Sequence, residues 1–125
     1  MKVENIKFKA KRLDNGEWVD GSLTHFKDVA YIRHEERGYD DKFYLITYKV
    51  NPDTVCQFTG LTDKNGTPIY EGDIVIYKDN NAERRGNINW DSKAAAFCFG
   101  QGFLVHYPSE NMVVIGNKHD KENSV

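Results

Sequence analysis

Apolar and polar residues alternate with a period of two over short runs, and turn residues separate the runs. Ile6-Lys7-Phe8-Lys9-Ala10-Lys11 is the clearest case, with its apolar members on one face and its lysines on the other. Asp14-Asn15-Gly16 is a tight-turn signature, because Asn and Gly tolerate positive φ, and Glu17-Trp18-Val19 reads as the return strand of a hairpin. A short strand is predicted from Asp28 to Arg33, and a charged loop from His34 to Lys42. Phe43 to Val50 is the strongest strand, with Tyr44, Ile46, Tyr48 and Val50 on one face and Phe43 and Leu45 on the other. Asn51-Pro52-Asp53 ends it, since Pro lacks the ladder donor, and Asp53 is placed to cap a helical turn up to Val55.

Further strands are predicted at Val55 to Phe58, Asp73 to Tyr77, Arg85 to Trp90, Ala95 to Phe99, Phe103 to Tyr107 and Met112 to Ile115. Turns fall at Asp63-Lys64-Asn65-Gly66, Asp79-Asn80-Asn81 and Gly100-Gln101-Gly102, and Lys118 to Val125 reads as a polar, frayed tail. No window of helical length carries apolar residues at i, i+3, i+4 and i+7. About nine short strands predict an all-β fold, a small SH3-like barrel or related β-barrel. The N-terminal hairpin and the Phe43 to Val50 strand are then additions to it. Residues 1–118 are expected to form one domain and 119–125 its tail, with no repeat or linker dividing the chain.

Length and charge narrow the classes. A chain of 125 residues buries enough surface for a core without disulfide or metal staples. The formal net charge of −2 excludes a general basic coat for nucleic acid, though not a local patch. The N-terminus has no apolar run of signal-peptide length and no segment approaches a membrane span, so a cytoplasmic product is expected. Cys56 and Cys98 lie outside any Cys-x-x-Cys pair and are expected to be buried thiols.

The most patterned stretch runs from Gln57 to Val75 and packs three glycines and two turns into a short span. Gly60 and Gly66 supply conformations closed to residues with a Cβ, and Gly72 marks a bend feeding a strand. Asp63 is placed to accept N–H groups of its own turn, and Ile69 and Tyr70 offer apolar anchors. This stretch resembles the YopX family of phage and prophage proteins. Lys7-Phe8-Lys9-Ala10 with the Trp18 hairpin, Asp53-Thr54-Val55, and Val114-Ile115-Gly116-Asn117 agree with it. Gln57, Thr59, Gly60, Asp63, Gly66, Tyr70, Gly72, Asp73, Gly116 and Asn117 carry the motif. The resemblance implies a small, largely β, cytoplasmic protein of a mobile element, and it brings no catalytic residues.

The candidate chemistry is sparse. Glu71 and Asp73 flank Gly72, with Asp63 close in sequence; paired acids serve acid–base catalysis, but turn acids more often satisfy backbone donors, and the second role is expected. His25, His34, His106 and His119 are scattered, and Cys98 and His106 lack further ligands at finger spacing, so neither metal nor cofactor is expected. Nucleophile-elbow and phosphate-loop signatures are missing. Lys7, Lys9 and Lys11 share a strand face, joined by Arg12 and, on another strand, by Arg84 and Arg85. With Phe8, Trp18 or Tyr31 as stacking surfaces these bases are candidate contacts for a single nucleic-acid strand. Guarding an open sheet edge is the competing role, and it is favoured because Phe8 and Ala10 face away from the lysines.

Five strands are apolar on both faces, the Phe43 strand foremost, whereas a half-wet strand alternates. A homo-oligomer follows as the expectation, acting as a non-enzymatic interaction module on a phage or host protein.

Overall fold

The computed structural model describes residues 2–80 and 82–121, so Asn81 of one predicted turn and residues 122–125 of the predicted tail lie outside the described residues. Eleven strands are found among the described residues, in two antiparallel sheets. The all-β class holds. The barrel does not, because both sheets stay open, with β4 and β6 at the ends of one and β10 and β11 at the ends of the other. Strand spacing reveals short strands, but closure depends on stagger and tilt, which the spacing does not encode. The chain divides into two compact units, one built on residues up to Gln57 and the other Phe58–Lys121.

In the first unit, β1 (Phe8–Lys11) and β2 (Trp18–Phe26) form the predicted hairpin, with Lys11 opposite Trp18 and Phe8 opposite Gly21. Asn15 Oδ1 accepts the Glu17 N–H in the turn. β2 runs well beyond Val19 and returns through Lys27-Asp28 into β3 (Val29–Arg37), with Leu23 opposite Ile32. The charged run from His34 to Arg37, read as loop, is therefore strand. It pairs with Ile46 back to Phe43 of β4 (Phe43–Val50), and side chains add to the ladder: Glu36 Oε1 accepts Tyr48 O–H at 2.8 Å and Arg37 lies over the Phe43 ring. After β4 the turn Pro52–Thr54 is capped by Asn51, whose Oδ1 accepts the Asp53 N–H; Asp53 is the capped residue, not the cap.

Thr54 is buried and its hydroxyl accepts the Lys11 N–H at 2.8 Å. β5 (Cys56–Thr62) then pairs with β1 at Cys56 and Gln57. Strand β1 is consequently an interior strand between β2 and β5, and its lysines do not guard an edge. Its other face performs as the pattern predicts. Ala10, Val19, Ala30, Ile32 and Val50 form the core, and Phe8, Leu23, Tyr48 and Val55 pack against it.

In the second unit the later part of β5 pairs with a short strand missed in the sequence, β6 (Pro68–Tyr70). A five-stranded sheet follows. Its strands are β7 (Asp73–Lys78), β8 (Glu83–Asp91), β9 (Ala96–Phe99), β10 (Gly102–Phe103) and β11 (Met112–Asn117), in the order β10-β9-β8-β7-β11. Alternation along β7 sends Val75 and Tyr77 inward. They join Ile69, Ile88, Phe99, Leu104 and Met112 in the core. Of the predicted strand from Phe103 to Tyr107 only Phe103 lies in β10, and a helical turn, Leu104–His106, follows it. Turning buries Leu104 and sets the Tyr107 ring edge-on to Tyr77 and Phe99, at 5.3 and 5.1 Å between centroids.

Candidate functional site

The motif residues converge on a polar knot in the second unit. Asp63 Oδ1 accepts the N–H groups of Asn65 and Thr67, each at 2.9 Å, and its Oδ2 accepts Val114 N–H at 2.9 Å. One carboxylate thereby shapes its own turn and ties it to β11. Burial alone would raise its pKa, but the backbone donors Val114, Thr67 and Asn65 outweigh it and hold the carboxyl below its ordinary value. Asp73 is fully buried; its Oδ2 accepts Tyr70 N–H at 2.8 Å and its Oδ1 accepts Asn117 Nδ2 at 2.9 Å.

Asn117 Oδ1 in turn accepts His119 N–H, and Asp120 accepts Asn117 N–H. His119 and Asp120 thus belong to an ordered turn, where a frayed tail was expected. Gly72 sits at φ +92°, where its N–H donates to the Ile88 carbonyl and its own carbonyl accepts Lys118 N–H. Thr59 Oγ1 donates to the Ile69 carbonyl at 2.7 Å, and a bulge between Val114 and Gly116 brings Asn117 into register opposite Asp73. Glu71 is separate from this network and faces Lys118 Nζ at 3.4 Å. Asp63 and Asp73 thus accept backbone and amide N–H groups.

Among the described residues no three His, Cys, Asp or Glu side chains gather as a metal site. His25 lies on β2, His34 Nδ1 sits 2.7 Å from the Asp20 carbonyl, and His106 stands 6.4 Å from the Phe103 ring. Cys56 and Cys98 are buried and form no disulfide.

The basic candidates are divided between the two units, and those of the first differ in exposure and partners. Lys11 is 4% exposed, and Lys9 and Lys11 stand over the Trp18 ring at 4.8 and 5.7 Å. The hairpin register puts Trp18 on the lysine face, an aromatic the sequence pattern did not place there. Arg12 lies 4.1 Å over Tyr48 and binds Asp14, which raises the arginine's pKa and lowers the aspartate's. Lys7 is half-buried, and Arg84 and Arg85 are exposed on β8 in the other unit. Of the proposed stacking partners, Phe8 packs on the core.

Two apolar surfaces are exposed, the first on the Phe43 strand that the sequence marks as apolar on both faces. Phe43, Tyr44 and Leu45 are exposed on the outer strand of the first unit. In the second unit a groove of about 520 Å³ is lined by Leu61, Phe97, Phe103, Val105, Tyr107 and Pro108. The helical turn that replaces the expected strand creates it, by turning Val105 to solvent while Leu104 goes in.

These features define a two-unit, open-sheet all-β protein organised around a turn knot that joins β5, β6, β7 and β11. The family model described as YopX protein matches residues 7–124, and the chain belongs to the YopX family. The crystal structure of protein EF1440 from Enterococcus faecalis is similar, with a TM-score of 0.60 and 24% identity, covering 93% of this chain and 94% of that one. At that identity the likeness shows the fold alone. No curated protein matches the chain. Among the described residues no helix is long and apolar enough to cross a membrane.

Proposed function

We propose that this protein is a non-enzymatic, self-associating interaction module of the phage or prophage accessory type. It works in the bacterial cytoplasm through a second copy of itself and through a phage or host protein. The observation that supports this reading is the clustering of exposed apolar side chains. Phe43 and Leu45 share one exposed face of β4 in the first unit, with Tyr44 exposed on the other, and Phe103 and Val105 rim a groove in the second. Contiguous exposed apolar surface marks interaction sites. Light scattering coupled to gel filtration tests self-association: a multiple of 14.4 kDa at micromolar protein is the expected mass. A mass that stays at the monomer value at every concentration defeats it.

The alternative is nucleic-acid binding through Lys7, Lys9, Lys11, Arg12, Arg84 and Arg85. It has less support, since Lys11 is buried and Arg12 is paired to Asp14. No shift of single- or double-stranded DNA or of RNA is expected in a gel at moderate salt. Micromolar binding that weakens steeply with salt and is lost on Lys7→Glu, Arg84→Glu and Arg85→Glu together would promote this reading instead.

A further inference from the structure

We propose that a second copy of the chain docks antiparallel along the outer edge of β4. The inference rests on the self-association reading above and names the surface. β4 is the terminal strand of its sheet. Its eight residues pair with β3 in unbroken register from Phe43–Arg37 to Val50–Ala30, so no bulge turns the edge aside. One end of that edge is already covered. The Lys49 carbonyl accepts Leu13 N–H at 3.0 Å, Asn51 N–H donates to the Lys11 carbonyl at 2.8 Å, and Arg12 bridges Val50.

Backbone groups alternate sides along a strand. The outward Lys49 carbonyl therefore places those of Phe43, Leu45 and Thr47 outward as well. Among the described residues no strand pairs with them. Natural edges are blunted by charge, proline or bulge. Phe43-Tyr44-Leu45-Ile46-Thr47-Tyr48 has no charge and no proline, and Phe43 and Leu45 are 63% and 66% exposed.

The register follows from the same geometry. A hydrogen-bonded antiparallel pair needs outward groups on both strands. A two-fold axis at Leu45 sets Leu45 against its own copy and Phe43 against Thr47 of the other, using all three open residues. It sets Lys42 opposite Tyr48 rather than against the other copy's Lys49, and it brings the Asp41 end of each loop toward the other's Lys49. An axis at Ile46 would need the Lys49 carbonyl, which Leu13 already occupies. An axis at Tyr44 would need Asp41, which lies outside the strand. The occupant is thus self-complementary in hydrogen bonding, apolar surface and charge, as an isologous contact must be.

The full chain is the test material. Leu45→Lys puts two like charges on the axis and is expected to weaken self-association at least about tenfold, with melting unchanged because the side chain is exposed. Leu45→Cys is expected to give a disulfide dimer on mild oxidation, since directly opposed Cα atoms about 5.5 Å apart lie within disulfide reach. Ser92→Cys, at an exposed turn of the second unit away from both apolar surfaces, reports random collision. If the wild-type oligomer persists unchanged in Leu45→Lys and Leu45→Cys crosslinks no faster than Ser92→Cys, edge docking is overturned while self-association stands. A wild-type chain that is monomeric throughout overturns both.

Discussion

Gly21→Ala is expected to destabilise the first unit by about 3–5 kcal/mol, at the upper end of single-residue effects. A Cβ on Gly21 would lie 2.0 Å from the Arg33 carbonyl oxygen and 2.9 Å from its carbon. Both are backbone atoms of β3, so no side-chain rotation relieves the overlap. The local φ of +152° adds strain for any residue with a Cβ. Relief requires β2 and β3 to part where Ser22 pairs with Arg33, breaking the ladder above the Leu23–Ile32 pair. Gly60→Ala is the matched control. Gly60 has φ +88°, but a Cβ there meets nothing within 4 Å, so only the strain of about 1 kcal/mol remains. Urea unfolding of the two variants should separate them by at least about 2 kcal/mol. Equal midpoints would show that the close approach at Gly21 yields without cost.

Gly21 also explains why β2 was only partly legible. Asp20-Gly21-Ser22 has the composition of a turn, and the strand was expected to stop at Val19. A glycine within a strand marks either a turn or a close backbone approach, and composition alone does not separate the two. The charged residues from His34 to Arg37 misled in the same way. Their side chains are polar because that end of the hairpin has no core beneath it, while the ladder with β4 persists. The edge role assigned to the lysines failed for a different reason. Whether β1 is an edge depends on where β5 returns, a non-local pairing between residues such as Lys9 and Cys56.

Local chemistry was more readable. The Asp-Asn-Gly turn, the inward Phe8 and Ala10, and the backbone-binding role of Asp63 all depend on near neighbours. The distant half of the Asp63 site, Val114, was present in the sequence only as a second family segment. The apolar groove of the second unit was hidden because Phe103 to Tyr107 reads as a strand, and only tertiary packing of Leu104 turns it into a helical corner.

Asp73→Ala is expected to cost about 3–5 kcal/mol, because it strands buried donors from both sides of the knot. Tyr70 N–H and Asn117 Nδ2 each lose a carboxylate acceptor in a place water does not reach. Asp73→Asn is milder but not neutral, at about 1–3 kcal/mol. The new amide keeps one acceptor oxygen for Tyr70, yet turns its NH₂ toward the NH₂ of Asn117. Asn117 cannot simply flip, since its Oδ1 already accepts His119 N–H. The sequence pattern gave Asp73 only a turn role beside the Gly72 bend; its full burial makes it a sensitive position as well. The decisive variant is the double exchange Asp73→Asn with Asn117→Asp. An amide at 73 then accepts from Tyr70 and donates to the carboxylate at 117, whose second oxygen still accepts His119 N–H. Thermal or urea unfolding should show the double variant more stable than Asp73→Asn by at least about 1 kcal/mol, a coupling expected only of directly bonded partners. Additive losses in the two single variants would remove Asn117 from its role as the partner of Asp73 and leave the knot without its cross-link to β11.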